Sequence, residues 1–73
     1  MDKTNIAERT KKVVAERYFV PVNESDSFDT LGDSLDAIQV IQDIEDEFEI
    51  RISEKDASNL KTVGDLIAYL QQL

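Results

Sequence analysis

The chain has 73 residues, a net charge of −8, 41% apolar residues, a single proline, and neither cysteine nor histidine. That length supports one domain over residues 1–73 with one small core, and the missing residue types exclude disulfide staples, thiolate or imidazole metal sites, a Cys nucleophile and a His base. No stretch approaches the roughly 18 apolar residues needed to span a bilayer, and no apolar signal region follows the N-terminus, so the expected setting is soluble and cytoplasmic.

The first predicted helix runs from about Asn5 to Tyr18, with Ile6, Thr10, Val13, Val14 and Tyr18 at helical spacing. Asn5 and Glu8 stand at the spacing of a capping pair, and Pro21 disfavours helical geometry at Val20. A loop from about Val20 to Gly32 follows, rich in Asn, Ser and Asp, with Val22, Phe28 and Leu31 as expected anchors. A connection this long is uncommon in a small domain unless it is functional. The second helix begins at Asp33 or Ser34 and reaches about Phe48; Val40, Ile41, Ile44 and Phe48 form its apolar stripe. A third, short helix spans Glu54 to Asn59, with Ser53 and Asp56 at capping-box spacing. The last runs from Val63 to about Gln71, with Thr62 and Asp65 again so spaced and Val63, Leu66, Ile67 and Leu70 on one face. There is no strand pattern and no repeat. The expected fold is all-α: a four-helix bundle of three main helices and one short one, with a long loop between the first and second.

Charge is unevenly spread. Residues 1–20 hold five basic and three acidic side chains, residues 21–50 hold ten acidic and no basic ones, and residues 51–73 hold three of each. An acidic middle repels nucleic acid and anionic membranes and attracts proteins with basic patches, mainly by speeding encounter. The plainer reading is a solvated acidic surface that keeps a small protein in solution.

Self-contained catalysis has little to work with. Lys11 and Lys12 lie on a charged helical face that keeps them solvated, and the carboxylates line single-helix faces rather than an evident cleft. A calcium loop with Gly32 at its sixth position places Ser27 first, Leu31 fifth and Ile38 twelfth; leucine and isoleucine side chains offer no oxygen, so that register fails. With only Gly32 and Gly64 in the chain, no glycine-rich phosphate cradle can be built.

What remains is Leu31-Gly32-Asp33-Ser34-Leu35-Asp36 at the opening of the second helix. In isolation Asp33 or Ser34 is a helix cap. The surroundings go further. Gly32-Asp33-Ser34-Leu35-Asp36-Ala37-Ile38 resembles the modification motif of acyl carrier proteins. The similarity continues through Ile44-Glu45-Asp46-Glu47-Phe48, Ile52-Ser53-Glu54-Lys55-Asp56-Ala57 and Leu60-Lys61-Thr62-Val63-Gly64-Asp65-Leu66, and it includes the first helix, covering residues 4–70.

The resemblance implies that Ser34 receives 4′-phosphopantetheine from coenzyme A through a separate phosphopantetheinyl transferase. The arm would end in a thiol that holds acyl groups as thioesters. It also implies a monomeric carrier, not an enzyme, serving fatty-acid, polyketide or related synthase and acyl-transfer enzymes. Their basic patches would meet Asp33, Leu35, Asp36, Ile38, Glu45 and Asp46. An acyl chain sheltered between helices would touch Leu35, Ile38, Ile52, Ala57 and Leu66, whereas Phe28 and Val40 are better placed as ordinary core. Three departures from the family pattern stand out: Gly32 abuts Asp33 with no intervening residue, Gln39 replaces a usual Glu, and Gln42 replaces an exposed apolar residue. The alternative is an unmodified acidic helical module that binds a basic protein.

Overall fold

The computed structural model describes residues 3–73. Five helices occur among them: α1 (Ile6–Tyr18), α2 (Phe28–Leu31), α3 (Ser34–Phe48), α4 (Glu54–Ser58) and α5 (Val63–Gln71). The architecture is all-α as expected, and α2 is an addition, a single turn inside the predicted loop.

The core is built by α1, α3 and α5, with α1 packed against both of the others. Ile6, Thr10 and Val14 face inward from α1; Val40, Ile44 and Phe48 from α3; Val63, Leu66, Ile67 and Leu70 from α5. These are the stripes read from helical periodicity, because burying one face is what stabilises a short amphipathic helix. Ile41, Val13 and Tyr18, also expected in the stripes, are partly buried at the margin of the core. Among the described residues Thr10 is the one buried polar residue, and its Oγ1 has no hydrogen-bond partner there.

The helix ends show where local signals held. At α5, Thr62 Oγ1 accepts from the Asp65 amide at 3.0 Å while Asp65 accepts from the Thr62 amide at 3.2 Å, a complete capping box. At α4, Ser53 Oγ accepts from the Asp56 amide at 3.1 Å, but the Asp56 carboxylate accepts from the Tyr69 hydroxyl at 3.0 Å. That bond ties α4 to α5. The Asn5–Glu8 pair does not form: Asn5 sits in the left-handed region at φ 54° and its side chain makes no capping bond. A side-chain cap is made from the extended conformation, which aims the oxygen at the free amides. The first helix ends at Tyr18, ahead of Pro21, because Phe19 turns left-handed at φ 60° while its amide still reaches the Ala15 carbonyl at 2.8 Å.

The long connection is anchored rather than free. The Phe28 amide donates to the Lys61 carbonyl at 3.0 Å, the Val63 amide to the Asp26 carbonyl at 3.0 Å, and the Gly64 amide to the Glu24 carbonyl at 2.8 Å. A Cβ on Gly64 would lie 3.0 Å from that Glu24 oxygen, so the close approach favours glycine. Phe28 is buried as predicted, with Val22 and Leu31 packed against the core at its edge. Ser27 caps α2 by accepting from the Asp29 amide at 3.2 Å.

Candidate functional site

Gly32 and Asp33 alone join α2 to α3. Gly32 ends α2, its amide donating to the Phe28 carbonyl at 3.2 Å, and Asp33 caps α3, its Oδ1 accepting from the Asp36 amide at 3.0 Å. This two-residue joint starts α3 at Ser34. Gly32 is needed for space rather than for its extended backbone. A Cβ there would stand 2.6 Å from both Asp36 Oδ2 and Tyr18 Cε1. The Tyr18 ring therefore packs against the joint. Its hydroxyl is buried without a hydrogen-bond partner among the described residues, and burial, then the Asp36 and Asp33 carboxylates, push its pKa up.

Ser34 is exposed and is the first residue of a 15-residue helix. The first amides of a helix lack intrahelical acceptors. Asp33 occupies the Asp36 amide, leaving the Ser34 and Leu35 amides open at the positive end of the helix dipole. An anionic oxygen attached at Ser34 would meet those amides, which is how helix starts hold phosphate. The flanking carboxylates of Asp33 and Asp36 oppose an anion. Among the described residues there is no His or Cys to activate the hydroxyl, so Ser34 is presented rather than primed. The residues present fit a phosphodiester on Ser34.

Beside this helix start lies a groove of about 460 Å³ between α3 and α4, with Phe28, Ala37, Ile38, Ile41, Ile52 and Ala57 among its walls. Of the residues expected to shelter an acyl chain, Ile38, Ile52 and Ala57 line it. Leu66 does not: it is wholly buried in the core, and so is Val40. Leu35 does not line the groove either; it is 63% exposed on the outer surface, next to Ile38 at 54%. Phe28, read as core, does both, since its ring is buried and also forms the groove floor. Ala37, Ile41 and Leu60 also line the groove; sequence reading placed Ile41 in the core stripe and did not name any of the three as cargo lining. Their apolar spacing at 37 and 41 was the available signal.

A family model described as the phosphopantetheine attachment site matches residues 6–70. The chain belongs to that family. Its members carry 4′-phosphopantetheine covalently, and the exposed hydroxyl, the open amides and the neighbouring groove agree with such a group.

The six residues expected to meet partners of this carrier-family chain divide by environment. Asp33 and Asp46 are exposed, with Leu35 and Ile38 forming an exposed apolar pair. Asp36 is half-buried against Gly32. Glu45 is half-buried and already used: its Oε2 accepts from the Ile52 amide at 2.7 Å, fixing the turn between α3 and α4. Spacing along α3 alone does not reveal that bond, because its partner is seven residues away across a turn.

Proposed function

We propose that the chain is a carrier domain whose Ser34 hydroxyl takes up 4′-phosphopantetheine from coenzyme A. The observation that carries this reading is the exposure of Ser34 at the first position of α3, beside two amides without intrahelical acceptors. A separate phosphopantetheinyl transferase supplies the base and metal that the carrier itself lacks. Once attached, the arm supplies a thiol for thioester chemistry. The protein's own residues do the rest: Asp33 caps and fixes the helix start, the Ser34 and Leu35 amides would hold the phosphate, and the groove walls formed by Ile38, Ile41, Ile52 and Ala57 would exclude water from an apolar cargo.

Leu35 and Ile38, with the carboxylates of Asp33, Asp36 and Asp46 around them, are the surface offered to enzymes with basic patches. Glu45 contributes from the groove edge, within the limit set by its bond to Ile52. Fatty-acid, polyketide or related synthases are the class of enzyme served. Gln42, at the groove rim where family members often have an apolar residue, favours a specialised pathway over primary fatty-acid synthesis. The carrier has no catalytic role of its own and works as a cytoplasmic monomer.

Incubation with coenzyme A and a promiscuous phosphopantetheinyl transferase tests the central claim. Intact mass should rise by one phosphopantetheine in the wild type and remain unchanged in Ser34→Ala. If Ser34→Ala is modified equally, Ser34 is not the attachment residue; if the wild type gains no mass while a control carrier does, an unmodified acidic module becomes the better reading.

A further inference from the structure

Tyr18 ends α1, well before Ser34 in the chain, yet its ring lies against the joint that starts α3. A Cβ on Gly32 would stand 2.6 Å from Tyr18 Cε1 and 3.2 Å from its Cδ1, so the edge of the ring abuts the Gly32 backbone. The Tyr18 side chain is half-buried at the margin of the core, and its hydroxyl is buried with no hydrogen-bond partner among the described residues. A hydroxyl in that state costs stability. What Tyr18 contributes here is therefore its ring, and the ring covers Gly32.

The end of α1 is itself fixed. Arg17 Nε and Nη2 donate to the Asp43 carboxylate at 2.8 and 3.0 Å, and the Phe19 amide closes the helix on the Ala15 carbonyl at 2.8 Å. Asp36 and Asp43 lie about two turns apart on one face of α3. Arg17 holds that face at Asp43, and the Tyr18 ring meets it at the Gly32–Asp36 end. Asp33, Ser34 and Leu35 are exposed, so solvent meets the joint on its outer side while the ring backs it on the inner side.

We infer that Tyr18 is a positioning residue for the modification of Ser34: its ring, wedged against Gly32, holds the two-residue joint in the arrangement that presents the hydroxyl to the transferase. The inference rests on Ser34 as the attachment residue and adds a residue that acts through Gly32. A misplacement of about 1 Å at a reacting group can slow a reaction by on the order of 100-fold. The exposed surface of α3 beyond the joint does not depend on the ring, so the loss should fall on turnover rather than on recognition.

Steady-state loading by the transferase, with coenzyme A saturating and the carrier varied, tests this at a temperature where circular dichroism shows every variant folded. Tyr18→Ala should lower kcat by about 10-fold or more with KM for the carrier little changed. Tyr18→Phe keeps the ring and drops the idle hydroxyl, so it should restore the wild-type value. Gly32→Ala should slow loading several-fold alone and add little to Tyr18→Ala, since the ring its methyl would meet is then gone. If Tyr18→Ala does not fold, Tyr18→Leu, which lacks the outer ring atoms, takes its place. In the unloaded chain, amide relaxation measured by NMR should show residues 32–35 more mobile in Tyr18→Ala than in the wild type. The inference is overturned if Tyr18→Ala loads at the wild-type kcat, if only KM rises, if Tyr18→Phe is as slow as Tyr18→Ala, or if residues 32–35 stay as ordered without the ring. A wild type that is not loaded at all overturns the reading of Ser34 instead, and the relaxation result then decides whether Tyr18 holds the joint.

Discussion

The two sides of the molecule are built differently. On one side α1, α3 and α5 interlock through Val14, Val40, Ile44, Leu66 and Leu70, none of which is reached by solvent. On the other, α4 has five residues and buries none of them. It is held by Ile52 and by a few polar ties: Glu45 to the Ile52 amide and Tyr69 to Asp56. The groove lies between α3 and this thin wall. A dense core resists deformation, whereas a wall with few buried contacts opens at low free-energy cost. The proposed carrier role would draw on both, a fixed helix start for Ser34 and a yielding flank beside it.

The sharpest way to break this contrast is to compare Ile44→Ala with Ile38→Ala. Ile44 is fully buried in the core side, so its truncation should cost about 3 kcal/mol or more. Ile38 is 54% exposed on the groove side, and its truncation should cost less than about 0.5 kcal/mol while slowing transfer to partner enzymes. Urea melts and a transferase assay measure the two effects; similar stability losses would mean that the thin side is packed as tightly as the core.

Thr10→Val probes the core from the opposite direction. Thr10 Oγ1 is buried with no partner among the described residues, so replacing the hydroxyl by a methyl of similar shape should raise stability by about 1 to 2 kcal/mol. A higher urea midpoint with an unchanged slope is the expected result. A loss would mean that the hydroxyl is satisfied in solution.

Thr62→Ala removes half of the capping box at α5, just where the anchored loop and the core side meet. It should cost about 1 kcal/mol. Ser53→Ala at α4 should cost less in global unfolding, because α4 adds few buried contacts; amide exchange confined to α4 would register it instead.

The smallest effect concerns alkaline pH. Burial first, and nearby carboxylates second, raise the Tyr18 phenol above the usual value of 10.0; burial and the hydrogen bond to Asp56 do the same for Tyr69. Unfolded tyrosine ionises first as pH rises past about 10, so the unfolded chain then holds fewer protons and stability falls. This stability is fully present below that value and lost as pH climbs through the raised folded values. Comparing alkaline urea midpoints of the wild type with those of the Tyr18→Phe, Tyr69→Phe double variant checks it. The variant should decline less steeply, and an equal slope would count against both shifts.

Most of the fold could be read from sequence for a definite reason. The stripes of α1, α3 and α5 repeat at helical spacing, and the Thr62–Asp65 box lies within one turn, so each is a local pattern with a local cause. α2 escaped notice because four residues are too few to show a period. The Asn5–Glu8 pair had the right spacing but the wrong backbone, and conformation, not identity, decides whether a side chain reaches an amide. Family resemblance and local capping both pointed to the Asp33–Ser34 segment, and the structure puts Ser34 exposed at a helix start.

The sequence by itself determined the main helices, their inward faces and the acidic middle of the chain, because each is written in neighbours a few residues apart, while Ser34 stood out as the candidate hydroxyl through a resemblance that runs along residues 4–70. Tertiary structure alone decided which apolar residues line the groove and which vanish into the core, that Tyr18 fills the space beside Gly32, that Glu45 is committed to Ile52, and that Phe19 stands exposed. Those facts depend on which segments meet across the bundle, and burial and pairing across a bundle are properties of the packed helices together, not of any one stretch of chain.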